Sequence, residues 1–281
     1  MASLLLLPGL GVYALLFLGP MAVLLAESFR LFIPGQISAG DDAPSTLANY
    51  AALFDSGFLR FFYETFRISL VTTLVGLTIA FPVAYWIAMR LGRRARTVAI
   101  TMLVTFLFLS VVVRTYALEL TFGAVSPLRP AMDVIGLSPN SRTYIEFLVG
   151  AGLLQFIVPM SVLTLVGTLQ NFRTELVEAA KSLGAPAWKV HWLITLPLSM
   201  QGMLSAFLLG FSFAISAFVV PLILGKGRVL FLSNLIYNRF SEIANYPGGA
   251  AISVVTLVVS LAIVYLISRL LTTRLRRSNL A

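Results

Sequence analysis

Few residues in this 281-residue chain are equipped for chemistry. There is one histidine, His191, and no cysteine. Thiol nucleophiles, zinc knuckles and disulfide frameworks drop out together, and a histidine metal site or general base has no second member. His191 stands beside Trp192 at the edge of an apolar run and reads as an interfacial anchor. Gly225-Lys226-Gly227 lacks both the earlier glycine and the following hydroxyl of a phosphate-binding loop. Two small sets remain on apolar stretches: Arg114, Tyr116 and Glu119 on one, Ser212, Phe213 and Ser216 on another. A carboxylate near the mouth of an apolar helix compensates a cation that leaves water, and a tyrosine ring one turn away adds attraction of about 0.5–2 kcal/mol. The functional reading has Glu119 meeting a cationic solute while Arg114 holds local structure. In the competing reading both side chains snorkel to external water. Five residues apart, they are awkwardly placed to pair with each other on a straight helix. The hydroxyl and ring groups at 212, 213 and 216 suit either lining of a solute path shared with Glu119 or helix–helix packing. No paired carboxylates share one stretch, which argues against an ion-coupled secondary transporter, the main rival of another class.

The elements that must position these groups follow from composition. The chain is 59% hydrophobic and 11% charged, against about 25% charged in a soluble domain, so a soluble globular fold is excluded. A net charge of +9 would suggest nucleic acid in a soluble protein, but here the basic residues flank apolar runs and no nucleic-acid partner is expected. Charge-free stretches span Leu4–Ala26, Ile68–Met89, Thr97–Val113, Phe147–Phe172, Trp192–Gly225 and Ile243–Ser268. The third reaches spanning length by continuing past Arg114 through Tyr116 and Leu118. A bilayer core takes about 20 helical residues, and only helices and closed barrels satisfy the backbone in lipid. The stretches lack the alternation of barrel strands. Six transmembrane helices are expected, with Leu4–Ala26 a genuine first span because it is longer than a signal-peptide core and has no basic lead. Pro82, Pro159 and Pro221 would kink their spans.

Basic side chains set the orientation. One side gathers Arg90, Arg93, Arg94, Arg96, Arg173, Lys181, Lys189, Arg269, Arg274, Arg276 and Arg277 against only Glu175 and Glu178. That side is cytoplasmic by the positive-inside rule, placing both termini inside. Arg30, directly after the first span, is the one local signal against this. On the other side Phe54, Phe58, Leu59, Phe61, Phe62 and Phe66 recur at helical spacing and suggest a separate helix lying in the interface before the second span.

The cytoplasmic segment 171–197 carries the most specific pattern. Thr174 can cap a helix whose first turns hold Glu175 and Glu178. That helix runs through Leu183 and stops at Gly184, the residue suited to a left-handed cap. Pro186 opens a second short helix, and Pro197 marks entry to the fifth span. Glu178-Ala179-Ala180, three residues, Gly184, nine residues, Ile194, one residue and Leu196-Pro197 resemble the EAA loop of permease subunits in type I binding-protein-dependent ABC importers. Asn49-Tyr50, Arg114-Thr115-Tyr116 and Pro247-Gly248-Gly249-Ala250-Ala251 are similar to the spermidine/putrescine permease branch. That branch usually has a basic cytoplasmic lead, which this sequence does not show.

The resemblance implies an all-α integral membrane fold, a single permease domain over 1–281 with core helices at about 63–270. It implies a bacterial inner-membrane location and no enzymatic activity in this chain. Glu178, Ala179, Ala180, Leu183, Gly184, Ile194, Leu196 and Pro197 would form the coupling surface for an ATP-binding subunit. Small alanines would allow close approach, and Gly184 would supply the corner. The implied partners are two ATP-binding subunits, which carry ATP and magnesium, a second permease that is a paralogue, an external binding protein and the bilayer. No cofactor is expected on this chain. The implied cargo is a polyamine or related small organic cation. Related branches carry amino acids or amines, thiamine, iron(III), sulfate and small organic acids.

Overall fold

The computed structural model describes residues 8–9, 11–35, 44–124, 126–127, 130, 138–171, 180, 182–190, 193 and 195–278. Among them the regular structure is helical, with one isolated antiparallel bridge between Arg30 and Ser45. In chain order the main helices are α1 (Gly11–Ser28), α2 (Ser56–Met89), α3 (Arg93–Phe108), α4 (Val111–Phe122) and α5 (Arg142–Gln170). They continue with α6 (Leu196–Ser216), α7 (Val219–Leu224), α8 (Leu232–Tyr237) and α9 (Tyr246–Ser278). Helices α1, α2, α5, α6 and α9 contain spans long and apolar enough to cross a bilayer, and the α3–α4 pair makes a sixth if its two halves count as one.

Three elements differ from the sequence expectation. The third span is not straight. It bends by 87° between α3 and α4, where Leu109 and Ser110 leave helical geometry. The aromatic segment before the second span is no separate interfacial helix, since residues 56–66 are the first turns of α2 itself. The long fifth stretch is also divided. Helix α6 ends at Ser216, Ala217 is extended, and α7 restarts at Val219. Pro221 explains this break. A continuous helix would press its ring against the Ala217 carbonyl, whereas in the first turn of α7 its missing N–H has no helical partner to lose.

The chain packs as two compact units, one of Met1–Tyr63 with Phe231–Leu261 and one of Glu64–Leu230 with Ala262–Ala281. In the first, Asn49 Nδ2 donates to the carbonyls of Ser28 (3.0 Å) and Arg30 (2.8 Å), and the Tyr50 hydroxyl lies 2.7 Å from Ser28 Oγ. Asn49 therefore serves the end of α1, whose last carbonyls have no helical donor, while Tyr50 holds the Ser28 side chain. The start of α9 is equally well explained. Asn245 Oδ1 accepts from the Gly248 amide at 2.8 Å, Pro247 sits where an N–H is not needed, and a β-carbon at Gly249 would come within 2.9 Å of the Phe240 ring.

In the second unit, α2, α5 and α6 share one apolar core. Leu77, Ala80, Ala84 and Ile87 meet Val162, Leu165, Val166 and Leu169 along with Phe207, Phe211 and Ile215. Small residues let the helices approach. Ile157, fully buried on α5, fills the space where a β-carbon at Gly76 of α2 would lie 2.6 Å away, and one at Gly210 of α6 would lie 3.2 Å away. Beside them, Gly152 of α5 makes room for Val220 and Leu224 of α7. Arg96 has a structural task beyond its charge. Its guanidinium donates to the carbonyls of Ile87 (3.3 Å), Ala88 (2.7 Å) and Leu91 (3.1 Å) and so closes the end of α2.

Candidate functional site

Within the 171–197 loop, Glu178, Ala179 and Ile194 lie outside the described residues, as do the expected cap at Thr174, the first loop helix up to residue 179, His191 and Trp192. What is described is the corner. Gly184 takes φ +79°, a left-handed conformation that costs any residue with a β-carbon. The Ala185 amide donates to the Ala180 carbonyl at 3.1 Å, the six-residue bond by which a glycine-capped helix end satisfies its last acceptors. The chain then turns into the short helix Ala187–Val190, with the amides of Lys189 and Val190 donating back to the Pro186 carbonyl. Leu183, immediately before the corner, is 88% exposed and Ala180 is half-buried. Leu196 and Pro197 open α6, both partly buried.

The second set of residues is organised by one turn of α5. Arg114 on α4 is only 7% exposed, and its Nη1 donates to the Gln155 carbonyl at 3.2 Å. Its guanidinium carbon lies 4.8 Å from the centroid of the Phe106 ring on α3. Phe156, the next residue of α5, stacks on Phe213 of α6 with ring centroids 3.8 Å apart. Neighbouring residues of α5 thus reach both candidate sets. The other members stand further out. Tyr116 is 53% exposed, Ser212 and Ser216 are exposed, and Ser216 Oγ bonds back to the carbonyls of Ser212 and Phe213.

Glu119 has a partner that sequence reasoning did not supply. Its Oε1 lies 2.9 Å from Lys226 Nζ, and both side chains are about four-fifths buried. Contact is ionic rather than a well-directed hydrogen bond, because Lys226 Nζ and Glu119 Oε2 have no hydrogen-bond partner. Lys226 occupies φ +50° beside Gly227 at +69°, so a side chain stands in a conformation better suited to glycine. The Gly225-Lys226-Gly227 turn is engaged with a carboxylate of its own chain, which is not the arrangement of a phosphate cradle. Nearby, Arg228 donates to the Asn140 carbonyl and the Tyr144 hydroxyl donates to the Phe122 carbonyl at 2.7 Å. At the start of α5, Arg142 pairs with Glu64 and Glu146, and Arg67 pairs with Glu146. Glu64 is thus engaged across the helix pair.

Two signals for these contacts were present in the sequence. A proline inside an apolar helix marks the carbonyl four residues earlier as an acceptor in need of a donor. A lysine between two glycines marks a turn that carries a charge. Neither signal names its partner, because Arg114 and Gln155, like Glu119 and Lys226, meet only through the fold.

Comparison with known proteins gives a consistent answer. Residues 80–277 match the family described as binding-protein-dependent transport system inner membrane component. The spermidine/putrescine transport system permease protein PotB of Haemophilus influenzae is 26% identical over 213 residues, which cover 75% of this chain and 74% of that protein. Among solved structures, a bacterial ABC transporter involved in the import of the acidic polysaccharide alginate shares the fold. Its TM-score is 0.72 at 16% identity, covering 98% of this chain and 95% of that one. The alginate transporter in complex with its alginate pentasaccharide-bound periplasmic protein gives 0.70 at 19% identity, over 94% and 91%. With the family match covering residues 80–277 and helices of spanning length on either side of its start, the chain belongs to the inner-membrane components of binding-protein-dependent transport systems.

Proposed function

We propose that this permease subunit moves a small organic cation, a polyamine such as spermidine or putrescine, from an external binding protein to the cytoplasm. The similarity to PotB over three-quarters of both chains carries this reading. In the proposed complex, two ATP-binding subunits dock on the 171–197 loop of this chain and of a paralogous permease. The exposed Leu183 before a rigid left-handed corner supports that role. Apolar surface at a loop tip gains from burial against a partner groove, and a corner without slack passes on a push as rotation of a rigid body. Glu119 and Tyr116 lie on the path of the solute, and Glu119 compensates its charge.

One observation favours a second cargo class. Glu119 is already paired with Lys226, and a fixed pair of opposite charges also suits a zwitterion, whose ammonium and carboxylate could exchange with the two partners. An amino acid is therefore the alternative. Calorimetric titration of the co-encoded binding protein with spermidine, putrescine and a panel of amino acids separates the two. Polyamine binding with amino acids silent supports the proposal, and the reverse result replaces it.

A further inference from the structure

Helix α5 contains Pro159. Proline has no N–H, so the carbonyl four residues earlier, that of Gln155, loses its helical donor. That carbonyl is the one Arg114 reaches from α4, at 3.2 Å. Arg114 itself is 7% exposed and has no carboxylate partner among the described residues, and its Nε is buried with no acceptor. A buried guanidinium in an apolar protein persists only where compensating groups are built for it. Here they are the Gln155 carbonyl and the face of Phe106 at 4.8 Å. The two defects are complementary. Pro159 leaves an acceptor without a donor, and Arg114 is a donor with little else to bond.

We infer that Arg114 is a positioning residue for α4, the helix that carries Tyr116 and Glu119. It supplies the hydrogen bond that Pro159 cannot make, and so pins α4, with Tyr116 and Glu119, to the opened turn of α5. The pin lies next to the two contacts that lock this turn elsewhere, Ile157 between Gly76 and Gly210 and Phe156 on Phe213. The bend between α3 and α4 goes with this contact. A straight third span would carry Arg114 on a continuous helix. The bent pair brings it over Phe106 and onto α5. The inference does not depend on the identity of the cargo.

A double-mutant cycle tests it in the purified, assembled transporter. Arg114→Met leaves the Gln155 carbonyl with no donor, whereas Pro159→Ala restores a helical N–H to it. The melting temperature should fall by several degrees in Arg114→Met, and by less than half as much when Pro159→Ala is already present. A cargo-independent readout follows the helix itself. Cysteines at positions 120 and 147, exposed on α4 and α5 of a cysteine-free chain, can be spin-labelled. Their distance distribution should be narrow in the parent, broad in Arg114→Met and narrow again in Arg114→Lys, whose ammonium can still donate to a carbonyl. Equal melting losses in both backgrounds, or an unchanged distribution in Arg114→Met, would overturn the assignment. If Arg114→Met does not assemble, recovery of the complex in Arg114→Met/Pro159→Ala supports it and continued failure refutes it.

Discussion

A carboxylate whose nearest cation belongs to its own chain is not a free anionic site. Glu119 and Lys226 neutralise one another, so an incoming ammonium must compete with a tethered one. If Glu119 contacts a cationic cargo, Lys226→Met removes the competitor and should lower the apparent KM for uptake several-fold. Glu119→Gln should raise it about tenfold, the loss of roughly 1.4 kcal/mol of binding. The exchange Glu119→Lys with Lys226→Glu preserves the pair but reverses its direction. Uptake kinetics in proteoliposomes decide between roles. Assembly without uptake in the exchanged protein supports a place on the path, and full recovery of uptake makes the pair a structural tie between α4 and the turn after α7.

At the scale of elements, the 171–197 loop and the α3–α4 pair were unequally legible. The corner at Gly184 could be read in advance because only glycine takes φ +79° without cost. Gly184→Pro fixes a negative φ and should leave the subunit inserted while abolishing stimulation of ATPase activity by loaded binding protein. Glu178→Lys should do the same by reversing the charge offered to a basic docking surface. Stimulation at the parent level in either mutant would remove the coupling role. The bend at Leu109–Ser110 was not legible, for it contains neither glycine nor proline. The contact that goes with it, Arg114 on the Gln155 carbonyl, is made to a residue 41 positions away. The continuity of α2 was hidden for the opposite reason. Its aromatic start and apolar body are chemically distinct, yet no breaker separates them, so one helix runs through both. The division of the fifth stretch was in principle readable from Pro221, once its ring is weighed against the Ala217 carbonyl.

For the molecule as a whole, one-sided basic clusters predict that the Arg90–Arg96 turn faces the cytoplasm. Arg94→Cys in this cysteine-free chain should resist a membrane-impermeant maleimide in intact cells and react after permeabilisation. Labelling in intact cells would invert the topology. Helix α2 gives that topology a mechanical meaning. Within the second unit it runs from Glu64 to Met89, about 39 Å at about 1.5 Å per residue, roughly 10 Å more than the hydrocarbon core. Pro82 inside it leaves the Thr78 carbonyl without a helical donor. One end carries Glu64 and Arg67, tied to Arg142 and Glu146, and the other is closed by Arg96. Tilting such a helix by about 10° about its centre moves each end about 3 Å, in opposite directions. Leverage of that kind would carry a small displacement at the charged end to the Arg96 end at comparable size, and the turn around Pro82, one hydrogen bond short, is where such a lever would yield first.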